Sequence, residues 1–441
     1  METLKKLGCG TIMLYALMSM YEVSYGILGA AIVTAVVGVR QGSPSSCFLF
    51  TCFVDELVKL VKCRSGEDGF LRWLHLLMLM DDTIVLATSR DQCIRKLQAV
   101  VEFCEKSGMV LNQSKTKFMV INSSDEDRLP LNVAYAGQAY DITWCDSYVY
   151  LGSIFTSDGK IRSSLKAHAQ DKHKHFIKFV SFISKNPDFP FVVKRKVLSS
   201  ALLAAILYGC ESWLLNNLSD VNKLYLAAIK TLLGVRQTTA NEVCLVELGL
   251  PQLKFFIKDR QLRFFKSAMA KRQGSENDPL MFVLHLAMAS RTSMGIYLNE
   301  LLAGSDFYQT GLQSLQDSVK QSERTKLVAY TSMNPQMKVH NVYLQLSPVI
   351  PEYQRLAFTR LRLISHNLRI ETGRWSRLPR EDRLCSCGDV QTEQHMIELC
   401  PITKPVRDAN PHMTFKFAEF FNVNNNKDIC NALYLMMDLY H

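Results

Sequence analysis

Apolar runs and helix-period stripes follow one another along this chain, and their order predicts a small sheet backed by helices, then a mainly helical remainder. Residues 11–20 suit a helix, and the Gly- and Val-rich residues 23–39 lead into the turn GVRQGSPSS, Gly38 to Ser46. The next run, FLFTCFVDELVKLV, places Phe50, Phe53, Val54, Leu57, Val58 and Val61 on one helix face. LHLLMLM (residues 74–80) and TIVLAT (residues 83–88) flank Asp81 and Asp82 and predict a strand, a two-acid turn and a second strand. Ser89, with Gln92 three residues on, caps a helix whose stripe is Ile94, Leu97, Val101 and Cys104 and whose stop is Gly108.

Further on, VLNQSKTKFMVIN reads as a turn and a strand, residues 122–130 as a loop, and YVYLGSIFTSDG (residues 148–159) as a strand pair. Val197, Ala201, Ala204, Ala205 and Tyr208 share a helix face. A second helix starts near Ser219, carries Leu224, Ala228 and Leu232, and stops at Gly234. Residues 305–323 are polar and weakly periodic, which suits a surface connection. This order puts the chain in the α+β class, an antiparallel sheet backed by helices.

With 441 residues, 48% of them hydrophobic, the chain can build real cores, and roughly two to four units of ordinary size would fit. Disorder is excluded as its character. A net charge of +10 allows a polyanionic partner, and its distribution says more. Lys160, Arg162, Lys166, Lys172, Lys174, Lys178, Lys185, Lys194, Arg195 and Lys196 face few acids, so phosphate contacts are expected of them. His168, His173 and His175 among them are expected in solvent. Phe176, Phe179 and Phe182 interleave with the lysines at helical spacing, which suits core packing better than base stacking. The thirteen cysteines are scattered and no secretory signal precedes them, which implies a reducing, intracellular setting. The 17 uncharged residues 23–39 are at the lower limit for a membrane span, and their glycines and β-branched residues favour buried strands, so no membrane partner is expected.

Adjacent carboxylates at Asp81 and Asp82 invite a cation, and hard oxygen ligands suit Mg2+; a solvated turn is the simpler reading when the pair stands alone. In the turn before the helix, Gly38 and Gly42 permit close approach of a polyanion, and Arg40 offers a fork for phosphate. Lys115 and Lys117 follow thirty residues after the acids. An anion-binding turn, an acid pair and a phosphate-facing lysine make the constellation of a nucleotidyl transferase. Near the C-terminus Cys385, Cys387, His395 and Cys400 form a Cys-x-Cys, His, Cys series whose ligand types suit tetrahedral Zn2+, against the alternative of chance neighbours. Upstream of it Arg360, Arg362, Arg369 and Arg374 suit either phosphate contacts or a solvated helix face.

These blocks, in this order, resemble reverse transcriptases of non-LTR retrotransposons over most of the chain. GVRQGSPSSCFLF resembles the block contacting nucleotide and template, MDD the Ala-Asp-Asp signature, LNQSKTKFMVI the Asn-x-x-Lys-Thr block, and YLGSIFTSDGKI the segment near the primer grip. LYGCESWLL, LLGVRQTT and Glu247-Leu248-Gly249 resemble the helical region downstream, and the Cys/His series a terminal zinc knuckle that more often opens Cys-x-x-Cys. The resemblance implies a partial fingers and palm at 1–130, a primer-grip segment and helical thumb at 131–280, a helical connection at 281–375, and a knuckle and tail at 376–441. It also implies two-Mg2+ addition of deoxynucleotides to a DNA primer on an RNA template. Asp81 would be a metal ligand with Asp82 its weaker neighbour, Arg40, Gln41 and Gly42 would line the nucleotide site, and Lys115 would sit near the leaving phosphates.

Three departures stand out. Met80 replaces a small alanine and Leu79 an aromatic, which alters packing beneath the acids. The family's further aspartate, in a Phe-x-Asp-x-x-x-Ala-Phe block, has no counterpart in the 37 residues before Gly38, and Asp55, in Phe53-Val54-Asp55, is a decoy expected to face solvent. The expectation is therefore an N-terminally truncated enzyme with reduced or lost activity, the alternative being a non-catalytic nucleic-acid-binding remnant or a domesticated retroelement protein.

Overall fold

The computed structural model describes residues 2–22, 24–35, 43–66, 68, 71, 74–124, 126–271, 278–347, 349–422 and 425–440. They form two compact units, one of Met1–Leu151 with Phe155–Gly159 and one of Gly152–Ile154 with Lys160–His441.

The first unit is α+β. Helices α1 (Glu2–Lys6) and α2 (Thr11–Tyr21) precede the antiparallel hairpin β1 (Ser24–Leu28) and β2 (Ala31–Ala35), followed by the long helix α3 (Pro44–Ser65). Strands were expected from the Gly- and Val-rich run, but buried ones; Tyr25, Ile27 and Ile32 are instead exposed, because among the described residues this sheet has only two strands. No described helix is long and apolar enough to cross a membrane. The acid hairpin follows as β3 (Leu76–Leu79) and β4 (Asp82–Val85), then helix α4 (Arg90–Lys106).

Helix α4 organises this unit because two of its faces are apolar. Ala99, Val100, Phe103 and Cys104 pack on Leu57 and Val61 of α3, with Leu76, Met78 and Val85 of the acid hairpin against them. Its other face, Leu97 and Val101, meets Leu131, Val133, Tyr140 and Ile142. Those four come from β6 (Leu131–Tyr135) and β7 (Gln138–Trp144), which make a three-stranded sheet with the short β5 (Lys117–Phe118). The expected cap is present: Ser89 Oγ accepts from the Gln92 N–H at 3.2 Å. Gly108 follows the helix with φ 67°, a conformation that costs side-chain-bearing residues about 1–2 kcal/mol. Strands β8 (Ser147–Tyr150) and β9 (Ser153–Thr156) form the expected strand pair.

The second unit is helical. It begins with α5 (Ile161–Lys185), α6 (Phe191–Val197), a π-helical turn at Leu198–Leu202, and α7 (Leu203–Ile206). The buried face here is Leu198, Leu202, Leu203, Ile206 and Leu207, while Ala201, Ala204 and Tyr208 are exposed. The face expected from Val197, Ala201, Ala204, Ala205 and Tyr208 is thus the wrong one: the extra residue of the π-turn shifts the phase, and leucines bury more apolar area than alanines. Helix α8 (Ser219–Leu233) matches expectation and ends at Gly234, φ 71°, where a Cβ would come within 2.2 Å of Leu356.

Helices α9 (Asn241–Glu247), α10 (Leu253–Lys271), α11 (Pro279–Ala289) and α12 (Ser293–Ala303) lead to α13 (Phe307–Lys320). Helix α13 occupies what was expected to be a surface connection. Its buried stripe, Gly311, Leu315 and Val319, is thin and starts with a glycine because Phe255 packs where a Cβ would be. Helices α14 (Thr325–Met333), α15 (Glu352–Arg362), α16 (Arg369–Trp375), α17 (Lys404–Asp408), α18 (Phe417–Phe420) and α19 (Asn426–Asp438) complete the unit. One continuous core runs from Leu165 in α5 to Met436 in α19. All thirteen cysteines are free thiols.

Candidate metal and nucleic-acid sites

Strand pairing places the acid turn one residue earlier than expected. Leu79 pairs with Asp82, so Met80 and Asp81 are the two turn residues and Asp82 opens β4. Met80 takes φ 55°, the left-handed region where glycine is the usual occupant of a tight hairpin. Both aspartates are exposed, as are Leu77 and Leu79. Asp82 acts on Tyr150, whose hydroxyl is pushed up chiefly by burial and further by that carboxylate. Among the described residues no third carboxylate, imidazole or thiol joins the acids in a potential metal cluster. Asp55 pairs with Lys59 at 2.5 Å on the outer side of α3, the solvent-facing place expected of a decoy.

The base of the hairpin is fastened by residues that sequence reasoning missed. Lys96 of α4 is fully buried and donates from Nζ to the Leu86 carbonyl at 2.5 Å, with His75 Nδ1 at 3.1 Å. The Leu86 N–H closes onto the His75 carbonyl at 2.9 Å. Burial holds the Lys96 ammonium below its ordinary range, opposed by Asp68. The available signal was a lysine within the stripe Cys93, Leu97 and Val100, since a charge on a buried face needs a dedicated partner.

Lys115 is exposed at a turn built by Asn112, whose Oδ1 accepts from the Lys115 N–H at 3.1 Å and whose carbonyl accepts from Thr116 Oγ1 at 2.8 Å. This Asx-type turn explains the Asn-x-x-Lys-Thr spacing. Tyr148 of β8 donates to the Lys115 carbonyl at 3.2 Å, and Lys117 Nζ donates to Thr143 Oγ1 at 2.7 Å. Arg40, Gln41 and Gly42 lie outside the described residues, as does Gly38.

The four residues of the Cys/His series converge. Ligand atoms of Cys385, Cys387, His395 and Cys400 all lie within 4.8 Å of one another. Two local devices bring them there. The Cys385 N–H bonds the Asp389 carbonyl at 2.7 Å and the Gly388 N–H bonds the Cys385 carbonyl at 3.0 Å, a tight loop that turns both sulfurs to one side. Residues His395–Leu399 form a π-helical turn in which the Cys400 N–H bonds the His395 carbonyl at 2.7 Å, bringing residue i+5 beside residue i.

Cys385 and Cys400 sulfurs are 3.7 Å apart, Cys400 and Cys387 3.9 Å, and Cys387 Sγ is 3.2 Å from His395 Nε2. A zinc tetrahedron with Zn–S of ~2.3 Å has sulfur–sulfur edges of about 3.8 Å and sulfur–nitrogen edges of about 3.5 Å, so this donor set fits the ion. His395 Nδ1 lies 3.9 Å from Asp389 Oδ2, a loose outer carboxylate. Burial, aided by Arg407 and opposed by Asp389, keeps the imidazole below its ordinary pKa and so in its ligating neutral form. Burial pushes the Cys385 thiol up to about 11. Burial also acts against the Cys400 thiolate, but Tyr440, Cys385 and the backbone at Ile402 and Thr403 bring its pKa below the ordinary thiol value.

The basic zone divides. Arg162, Lys166, Lys174 and Lys178 are exposed at i+4 steps or multiples along α5, a span of about 24 Å. Lys172 and Lys174 share Asp171, whose carboxyl they hold down at about 2. Lys194 is not a phosphate contact: it is fully buried, with Glu352 and the Pro187 carbonyl each at 3.0 Å. His168, expected in solvent, is buried between the Ile206 carbonyl at 2.8 Å and the Trp213 ring. Phe179 is in the core, with Phe176 packed against it. Arg362 fits neither expectation for its segment. It is buried on Glu247, with Nε and a terminal nitrogen 2.7 and 3.0 Å from the carboxylate oxygens.

A family model described as reverse transcriptase (RNA-dependent DNA polymerase) matches residues 1–155. The Pol polyprotein of the type-1 retrotransposable element R2 from Popillia japonica is 23% identical over 390 residues, covering 84% of this chain and 50% of that protein. Residues 1–155 thus carry the match to the reverse transcriptase family, and most of the chain is similar to a retrotransposon Pol protein. An uncharacterized transposon-derived protein of Caenorhabditis elegans is 25% identical over 179 residues, covering 39% of the chain and 61% of the relative. The chain spans between half and about three fifths of the length of these curated relatives. No solved structure matches it.

Proposed function

We propose that the chain takes part in RNA-templated DNA synthesis, as a reverse transcriptase whose own extension activity is weak. The observation that carries this reading is the acid hairpin: Asp81 and Asp82 stand exposed at its tip, with no third ligand beside them among the described residues. Two Mg2+ ions and a triphosphate need carboxylate shared between the metals, and its loss costs several kcal/mol of transition-state stabilisation, at roughly tenfold in rate per 1.4 kcal/mol. In this reading Asp81 and Asp82 hold Mg2+, Lys115 meets the leaving phosphates, and Arg40, Gln41 and Gly42 line the deoxynucleotide. The roles of Lys115, Arg40, Gln41 and Gly42 rest on the sequence resemblance alone. Primer extension on an RNA template is the test, with Asp81→Asn as control. A faint Mg2+-dependent product that disappears in the variant is expected; equal product from both, or none from either, removes catalysis from the reading.

A second role, nucleic-acid binding through α5, is favoured by the exposed row Arg162, Lys166, Lys174 and Lys178. Each phosphate contact on a single strand contributes about 0.7 to the slope of log affinity against log salt. Changing these four residues to glutamine should flatten that slope by up to about 3, and an unchanged slope would exclude the face. The knuckle residues Cys385, Cys387, His395 and Cys400 would hold one Zn2+, whose contribution is structural because all four positions are taken by protein.

A further inference from the structure

Beyond its four donors, the Cys/His centre has a neighbour that neither motif nor family resemblance assigns. Tyr440, just after α19, packs against the core of the second unit. Its hydroxyl is buried with no partner at ordinary hydrogen-bond distance, while the Cys400 and Cys385 sulfurs are near enough to act on it. A buried hydroxyl without a well-placed partner is destabilising, so its retention here calls for an acceptor. Neutral thiols are weak acceptors. A metal-bound sulfur is a thiolate, and a thiolate is a strong one.

We propose that Tyr440 is a positioning residue of the metal centre: its O–H donates to the Cys400 thiolate when Zn2+ is bound, fastening the C-terminal helix to the knuckle. The inference rests on the zinc reading of the four ligands. It gives α19 a dependence on metal occupancy that the core packing of Ile429, Leu433 and Met436 does not by itself require. Outer groups that support metal ligands are worth about 10- to 100-fold in affinity.

The test uses the full chain, Tyr440→Phe, and Co2+ or Zn2+ alone as probe. The variant keeps the ring and removes only the donor, so metal affinity by competition with a chromophoric chelator should fall about 10-fold or more. The sulfur-to-Co2+ charge-transfer band should move to longer wavelength, because a thiolate without its hydrogen bond gives up charge more easily. Affinity and band both unchanged would overturn the role of Tyr440 while leaving the metal centre standing. Failure of the unaltered chain to bind either ion would overturn the centre itself. Amide exchange across residues 426–438 gives an independent readout that does not depend on the variant binding metal. Zn2+ should slow exchange there in the unaltered chain, and exchange indifferent to Zn2+ would overturn the coupling.

Discussion

Glu247 and Arg362 offer the sharpest test of how the helical unit is held together. The pair is 115 residues apart in sequence and buried on both sides, and it joins the end of α9 to the end of α15. Arg362 also donates to the Met333 carbonyl at 2.8 Å, and Tyr330 donates to Glu247 at 2.8 Å. Burial disfavours the guanidinium, yet the Glu247 carboxylate keeps its pKa above the ordinary value, so Arg362 stays charged in its buried place. Glu247→Leu strands a cation and Arg362→Met strands an anion, each at a cost of about 3–5 kcal/mol.

The double variant strands neither charge. It loses the bonds to Met333 and Tyr330, at about 1 kcal/mol each, while methionine can still fill space between Phe358 and Phe421, whose rings flank the guanidinium at 5.4 and 5.5 Å. The expected double-variant loss is therefore about 2 kcal/mol, against about 6–10 for the summed singles. Urea unfolding followed by far-ultraviolet circular dichroism, which the helical unit dominates, reads all four corners of the cycle. Additive losses would refute the pairing.

Other outcomes follow from the same geometry. His395→Ala, or removal of metal by chelation, should abolish one bound Zn2+ per chain and lower the melting temperature; at free metal 100-fold above Kd the lost stabilisation is about 2.7 kcal/mol, and melting curves identical with and without Zn2+ would contradict it. His340 is held down at about 4, chiefly by burial and next by Arg362. Its Nδ1 accepts the Val342 N–H at 3.2 Å, and Nε2 therefore donates to the Phe421 carbonyl at 2.9 Å. The folded pKa lies below the unfolded one, so this contribution is intact above pH ~6.5 and is lost as pH falls toward 4, about 3 kcal/mol in all. His340→Gln should flatten stability against pH in that window, and an unchanged profile would speak against this role for the histidine.

Legibility in the sequence tracked the distance between partners. The acid hairpin, the Ser89-capped helix and the Cys/His cluster were readable because every residue that fixes them lies within about twenty positions. His168 and Arg362 were misread because their partners, Ile206 and Glu247, are 38 and 115 residues away, and charge or polarity alone suggests solvent. The α13 helix was missed because its stripe opens with Gly311, whose role is visible only when Phe255 sits on it. The turn at the acids was misplaced by one residue, since a six-residue apolar approach does not say which residue accepts the left-handed conformation taken by Met80.

That ribbon sets a limit of its own. Lys96 and His75 pin one end, but the strands β3 and β4 pair only with each other among the described residues, and the acids stand at the unpinned end. A two-stranded ribbon twists more freely than a sheet, and reacting groups displaced by about 1 Å can lose about 100-fold in rate. On the proposed reading of the acids as Mg2+ ligands, metal affinity and turnover should therefore part company: an ion can be caught by the carboxylate pair before it is held still enough for a phosphorus centre to be attacked in line. Any partner that stiffens the ribbon would act on speed rather than on metal occupancy.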